Sequence, residues 1–144
     1  MPNRMLERFR AGATGILVLL LAQFALGMIA NLYVEFPSPL AGGDAFAWAF
    51  GHSLVVTVHV LLAALLLAAS LVTAEFAAWS GVPTVARSGV AGLLLVLVAA
   101  VCGIWFLTDG QGNASSLLMA FAFMGAFVAY AAGLHAARSA APSH

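Results

Sequence analysis

The sequence predicts an all-α membrane protein, a single four-helix transmembrane bundle over residues 1–144, and two observations carry that expectation. Apolar side chains make up 64% of the chain and charged ones 7%, too little charge to cover a soluble domain, so lipid must be the solvent. The charged residues also leave four long uncharged windows: 24 residues between Arg10 and Glu35, 30 between Asp44 and Glu75, 21 between Arg87 and Asp109, and 28 between Asp109 and Arg138. About 20 apolar residues span hydrocarbon as a helix, so each window crosses once. Runs such as Leu17-Val18-Leu19-Leu20-Leu21 lack the alternation of barrel strands, and a helix satisfies its backbone polar groups internally.

The first helix is expected at about residues 12–31, behind Arg4, Arg8 and Arg10. Basic residues before an apolar run also describe a signal peptide, but this run is nearer transmembrane than signal length, so a retained anchor is expected. The second helix is expected at about 55–74. Ahead of it, Asp44 reads as an N-cap, and residues 45–51 either extend this helix or form a short one in the membrane interface. The third, at about 88–107, follows a short connection with Gly81 and Pro83, which makes it an antiparallel neighbour of the second. The fourth, at about 116–135, follows the glycine-rich turn Asp109-Gly110-Gln111-Gly112-Asn113.

All five basic residues are arginines, and this threading puts them on one side, with Glu35, Asp44 and Asp109 on the other. The positive-inside bias then places both termini in the cytoplasm. Trp48 and Trp105 fall at one interface and Trp79 at the other, as aromatic belts do. A lone cysteine, Cys102, excludes an intrachain disulfide. With zero formal charge and no basic stripe there is no footprint for nucleic acid. Lipid is the expected partner, and a second copy of the chain or another membrane subunit is the macromolecular alternative.

Small and polar residues mark the inward faces: Gly12, Gln23, Gly27 and Ala30 in the first helix, Ser88, Gly92, Ala99 and Gly103 in the third, and Ser115, Ser116, Met119, Ala126, Tyr130 and Gly133 in the fourth. Leu95 is assigned to lipid. In the second helix, His52 and His59 are seven apart and would share a face with Ala63 and Ser70. An ionisable side chain within a membrane helix is a functional-site hypothesis unless it is only a helix fastener. For His59 the two readings are a hydrogen bond to Gln23, Asn31 or a carbonyl, and axial ligation of haem b. Met119 is level with it, both roughly 5 to 6 Å below the end of the span, which makes Met119 a candidate second ligand and His59 the candidate metal ligand. Methionine is equally a common apolar filler. His52 could join Glu35, Asp44 and Asp109 in a small metal site, or hydrogen-bond a haem propionate. His135 lies at the opposite end, and His144 is terminal.

The layout of four helices, a long first outer loop and a histidine early in the second helix resembles one half of haem A synthase and, more broadly, small membrane b-type cytochromes. Gln23-Phe24-Ala25-Leu26-Gly27 together with His59-Val60-Leu61-Leu62-Ala63 resembles that family's helix-two His-Arg-Leu-Leu-Gly pattern. The resemblance implies a haem-sized pocket with His59 as ligand. It does not extend to the family's chemistry: Val56 stands where the catalytic glutamate would be, Val60 where the arginine would be, and Ser116-Leu117-Leu118-Met119 where the second histidine would be. The abundance of Ala, Leu, Val and Gly without lysine is similar to small membrane proteins of GC-rich bacteria, which implies the bacterial cytoplasmic (inner) membrane. The sequence therefore predicts a haem-b-binding membrane protein for electron transfer or haem handling. The alternative is a non-catalytic subunit or scaffold with structural histidines. A solute or proton pathway is ranked last, because His59 is the one ionisable residue deep in the bundle.

Overall fold

The computed structural model describes residues 2–37, 43–108 and 112–140, and among these it contains helices and no strand. In chain order they are α1 (Pro2–Tyr33), α2 (Gly43–His52), α3 (Leu54–Ala78), α4 (Pro83–Thr108) and α5 (Asn113–Ser139). The four long helices are each long and apolar enough to cross a membrane, as expected. They form a ring in which α1 and α4 each pack on both α3 and α5, so that α3 faces α5 across the bundle and α1 faces α4. Pro39, Gly42, Asp109, Gly110, Gln111 and His144 lie outside the described residues.

Each helix buries a seam with residues spaced alternately three and four apart, the spacing that keeps one stripe of a helix facing its neighbours. In α1 the seam is Leu6, Phe9, Ala13, Ile16 and Leu20. Because Leu6 and Phe9 are in register with the rest, α1 begins nine residues earlier than the charge-free window, and its arginines lie on a continuous helix. The seams of α3 (Leu66, Ala77), α4 (Val85, Val96) and α5 (Ala126, Tyr130, Ala137) meet it in one core near the end of the bundle that carries both termini. Packing there is close. A Cβ at Gly89 would stand 2.5 Å from that of Ala77, one at Gly12 2.5 Å from Thr73 Oγ1, and one at Gly92 2.6 Å from the Tyr130 ring.

Leu95, assigned to lipid from the sequence, is half-buried and packs on this core, its Cδ1 3.1 Å from where a Cβ on Gly125 would stand. The assignment fails because α4 carries Leu or Val on every side, and only the absence of a side chain at Gly125 across the α4–α5 contact makes room for this one. Elsewhere the helices present apolar surface outward, including Val18, Leu21, Leu61, Leu94, Val101 and Phe121. Only 17% to 22% of each apolar window is buried within the chain, which leaves lipid to cover the remainder.

Two junctions set the helix ends. Between α3 and α4, the Ser80 hydroxyl donates to the Ala77 carbonyl (2.7 Å) and accepts from the Val82 N–H (3.2 Å). Gly81 adopts the left-handed conformation (φ +75°) that a tight reversal requires, and Pro83 opens α4, where a missing N–H costs nothing. Between α2 and α3, Ser53 is extended (φ −143°, ψ 114°) and its side chain accepts from the Val56 N–H. Thr57 Oγ1 lies within hydrogen-bond distance of both the Ala49 and Ser53 carbonyls, at 2.8 and 2.9 Å, and so bridges the break from α3 back to α2. Residues 45–51 therefore belong to a separate short helix. Consequently His52 and His59 are on different helices, and the seven-residue argument that gave them one face does not hold.

Candidate functional site

Near the α2 end of the bundle the seams continue, but their residues change character. The α3 seam passes through Val56 and Leu66, with His59 in register between them, and the α1 seam continues from Leu20 to Gln23, Gly27 and Ala30. Gly27 lies six residues from the end of α1, His59 five from the start of α3, Gly103 five from the end of α4, and Met119 six from the start of α5. At 1.5 Å per residue all four lie about 8 Å from that end. One layer thus holds a histidine and a methionine on the facing pair α3 and α5, and a glycine on each of the facing pair α1 and α4.

The close contacts in this layer are between neighbours in the ring. A Cβ on Gly27 would stand 3.1 Å from His59 Cε1, and one on Gly103 would stand 3.7 Å from Met119 Sδ. Gln23 holds His59 from one turn away. Its Nε2 donates to the His59 carbonyl (3.1 Å) and lies 3.2 Å from the His59 Nε2. Because the carbonyl can only accept, that end of the Gln23 side chain is the NH2 group, and the imidazole Nε2 must also accept from it. The ring proton is then on Nδ1. Both the Nδ1 and the Gln23 Oε1 are buried without a hydrogen-bond partner, which leaves a donor and an acceptor open in this layer.

No family model, curated protein or solved structure matches this chain. The layer is consequently read from its own chemistry. Imidazole nitrogen and thioether sulfur both ligate transition metals, and His59 and Met119 supply one of each. Among the described residues no three of His, Cys, Asp and Glu come together as a metal-ligating group.

Directly beyond the layer lies a cleft of about 350 Å³ lined by Asn31, Phe36, Phe106, Asn113 and Ser116, within the size range of small-molecule pockets. Asn31, Phe106 and Ser116 stand one turn outward of Gly27, Gly103 and Met119, so the cleft is the mouth of the layer. On the other side of the layer, Phe24 of α1 stacks on Phe123 of α5 with ring centroids 5.3 Å apart.

The remaining predicted residues lie elsewhere. His52 is exposed on α2, stacked on Trp48 at 5.9 Å with its Nδ1 3.3 Å from the Trp48 carbonyl. Trp48 packs on Phe36, and Phe36 on Phe106, so α2 is tied to the rim of the cleft through rings. His135 is exposed near the terminal end, about 24 Å along α5 from Met119. Sequence reasoning named Gln23 among the partners of His59 and placed Ser70 and Tyr130 on inward faces, but did not pair these two hydroxyls. Ser70 of α3 and Tyr130 of α5 are fully buried, face each other, and lack a well-formed hydrogen bond. Their signal was present in the seam spacing, which runs through both residues.

Proposed function

We propose that this chain is a haem-b-binding protein of the bacterial cytoplasmic membrane, with both termini in the cytoplasm and the His59 layer as its cofactor site. The observation that carries the reading is the make-up of that layer: His59 and Met119 stand at the same level on the facing helices α3 and α5, and their side chains pack against Gly27 and Gly103, where no Cβ stands. His59 and Met119 would hold a flat macrocycle from α3 and α5, and the glycines on α1 and α4 would give it room. The donor set suits the group. A proton on Nδ1 leaves the Nε2 lone pair as the ligating one, and replacing the Gln23 amide there breaks one hydrogen bond, which costs about 1 kcal/mol. Bound haem would supply one-electron transfer, with a potential set by its axial ligands and surroundings. The chain's own contribution is to hold the His59 backbone carbonyl through Gln23, to leave room with the two glycines, and to admit the polar edge of the ligand at the Asn31–Ser116 cleft.

The test is the visible spectrum of protein purified after expression with ample haem, with and without dithionite. A Soret band that shifts on reduction is expected. A colourless protein would favour the second reading, a non-catalytic membrane subunit or scaffold. That reading has its own observation, since the paired contacts of Gln23 to His59 already join α1 to α3 as polar side chains do in membrane bundles. The orientation is tested separately. A reporter active only in the cytoplasm gives signal when fused to the C-terminus, and a silent but inserted fusion would reverse the topology.

A further inference from the structure

A second cleft lies at the other end of the bundle and owes nothing to the His59 layer. It has a volume of about 520 Å³ and lies between α1 and α3, with Gly12, Leu65, Ala69 and Val72 along its apolar walls and Arg8 and Phe76 at its terminal end. From Leu65 to Phe76 it extends about 16 Å along α3. The α1 wall is low because Gly12 approaches Thr73 closely, and one turn further a Cβ on Gly15 would meet nothing within 4 Å. Arg8 sits with its guanidinium carbon 5.6 Å from the centre of the Phe76 ring. No carboxylate among the described residues lies within ion-pair distance of it.

A groove with apolar walls, open to lipid and ending at an unneutralised cation at the membrane edge, has the chemistry of a phospholipid reversed in sign. We propose that it binds an anionic phospholipid of the leaflet on the side of the N-terminus, with one acyl chain along α3 and the phosphate on Arg8. The acyl chain covers Leu65, Ala69 and Val72, and the Thr73 hydroxyl lines the groove one turn below the phosphate, at the depth of the glycerol esters. Phe76 holds the guanidinium over the mouth of the groove. The other arginines at that end, Arg4 and Arg10 on α1, Arg87 on α4 and Arg138 on α5, do not line it.

Native mass spectrometry of the protein with phosphatidylglycerol and phosphatidylcholine of matched chains tests this. Wild-type protein is expected to retain phosphatidylglycerol about fivefold better, the attraction of one arginine to an anionic headgroup. Arg8→Gln should bring the ratio near one, while Arg138→Gln, at the same end but away from the groove, should leave it unchanged. Ala69→Phe fills the groove and should lower occupancy by both lipids. Should that variant fail to insert, Ala68→Leu, on the exposed rim, is expected to give a smaller loss of the same kind. An unchanged ratio in Arg8→Gln, an equal fall in Arg138→Gln, or full occupancy in the groove-filling variants would overturn the site. None of these outcomes depends on whether haem is bound.

Discussion

The two ends of this bundle use glycine for different purposes. At the terminal end, Gly89 and Gly92 let helices touch where any Cβ would strike a neighbour at 2.5 to 2.6 Å, and Phe9, Tyr130 and Ile16 fill the centre with almost no exposed surface. At the α2 end, a Cβ on Gly27 or Gly103 would meet His59 or Met119 only at 3.1 and 3.7 Å, with unpaired polar atoms nearby and a cleft above. At one end the glycines lie against a methyl and a ring fixed in a sealed core, whereas at the other they face the ends of side chains that can swing. Small residues at helix contacts do not by themselves distinguish tight packing from reserved space. The distance to what stands opposite does.

Substitutions at the glycines give the largest expected contrast. Gly92→Ala places a methyl against a rigid ring in a sealed core and should destabilise the protein by about 1 to 3 kcal/mol, measured as reversible unfolding in mixed micelles. Tolerance at Gly92 would show that the terminal end is not closed as described. Leu95→Ala removes the side chain that fills the notch beside Gly125, and about 1 to 2 kcal/mol is expected for a half-buried leucine, below the range for full burial. A neutral result there would return Leu95 to the lipid face. At the open end the effects should be smaller. Gly27→Ala meets only the tip of His59, and Gly103→Ala makes an ordinary contact, so the loss at either should be within the ~1 kcal/mol that alanine gains over glycine in a helix. The same thermal or denaturant series run on all four variants orders them, and a Gly103→Ala protein as unstable as Gly92→Ala would erase the distinction between the ends.

The four spans were legible in the spacing of charges because a helix crossing lipid cannot carry them, and the inward faces were legible wherever small or polar residues interrupted Leu and Val. Three features were not. The extension of α1 past Arg10 to Pro2 was hidden because a charge-free window ends at the first arginine, while Leu6 and Phe9 keep the helix packed beyond it. The break at Ser53 was hidden because Gly51, His52 and Ser53 suit a helix interior as poorly as they suit a cap, and only Thr57 reaching back to the Ala49 carbonyl resolves it. Leu95 was misplaced because leucine carries no mark of whether lipid or protein covers it. At the candidate site, His59, Gln23, Gly27, Gly103 and Met119 were all singled out from the sequence, and His59 and Met119 were already level by residue counting; the contact of each glycine with His59 or Met119 needed the packed helices.

The measurement that addresses the cofactor layer most directly is the reduced-minus-oxidised spectrum of His59→Ala beside wild type, Met119→Leu and His135→Ala, all confirmed as inserted. Wild type and His135→Ala should show the same haem bands, since His135 is at the far end of α5. Met119→Leu should keep the cofactor with a shifted potential or a change toward five-coordinate iron, because volume is preserved and only the thioether is lost. His59→Ala should show no Soret absorbance, because the imidazole supplies the main protein bond to iron. Undiminished haem bands in His59→Ala, or their absence from haem-loaded wild type, would contradict the assignment of this layer.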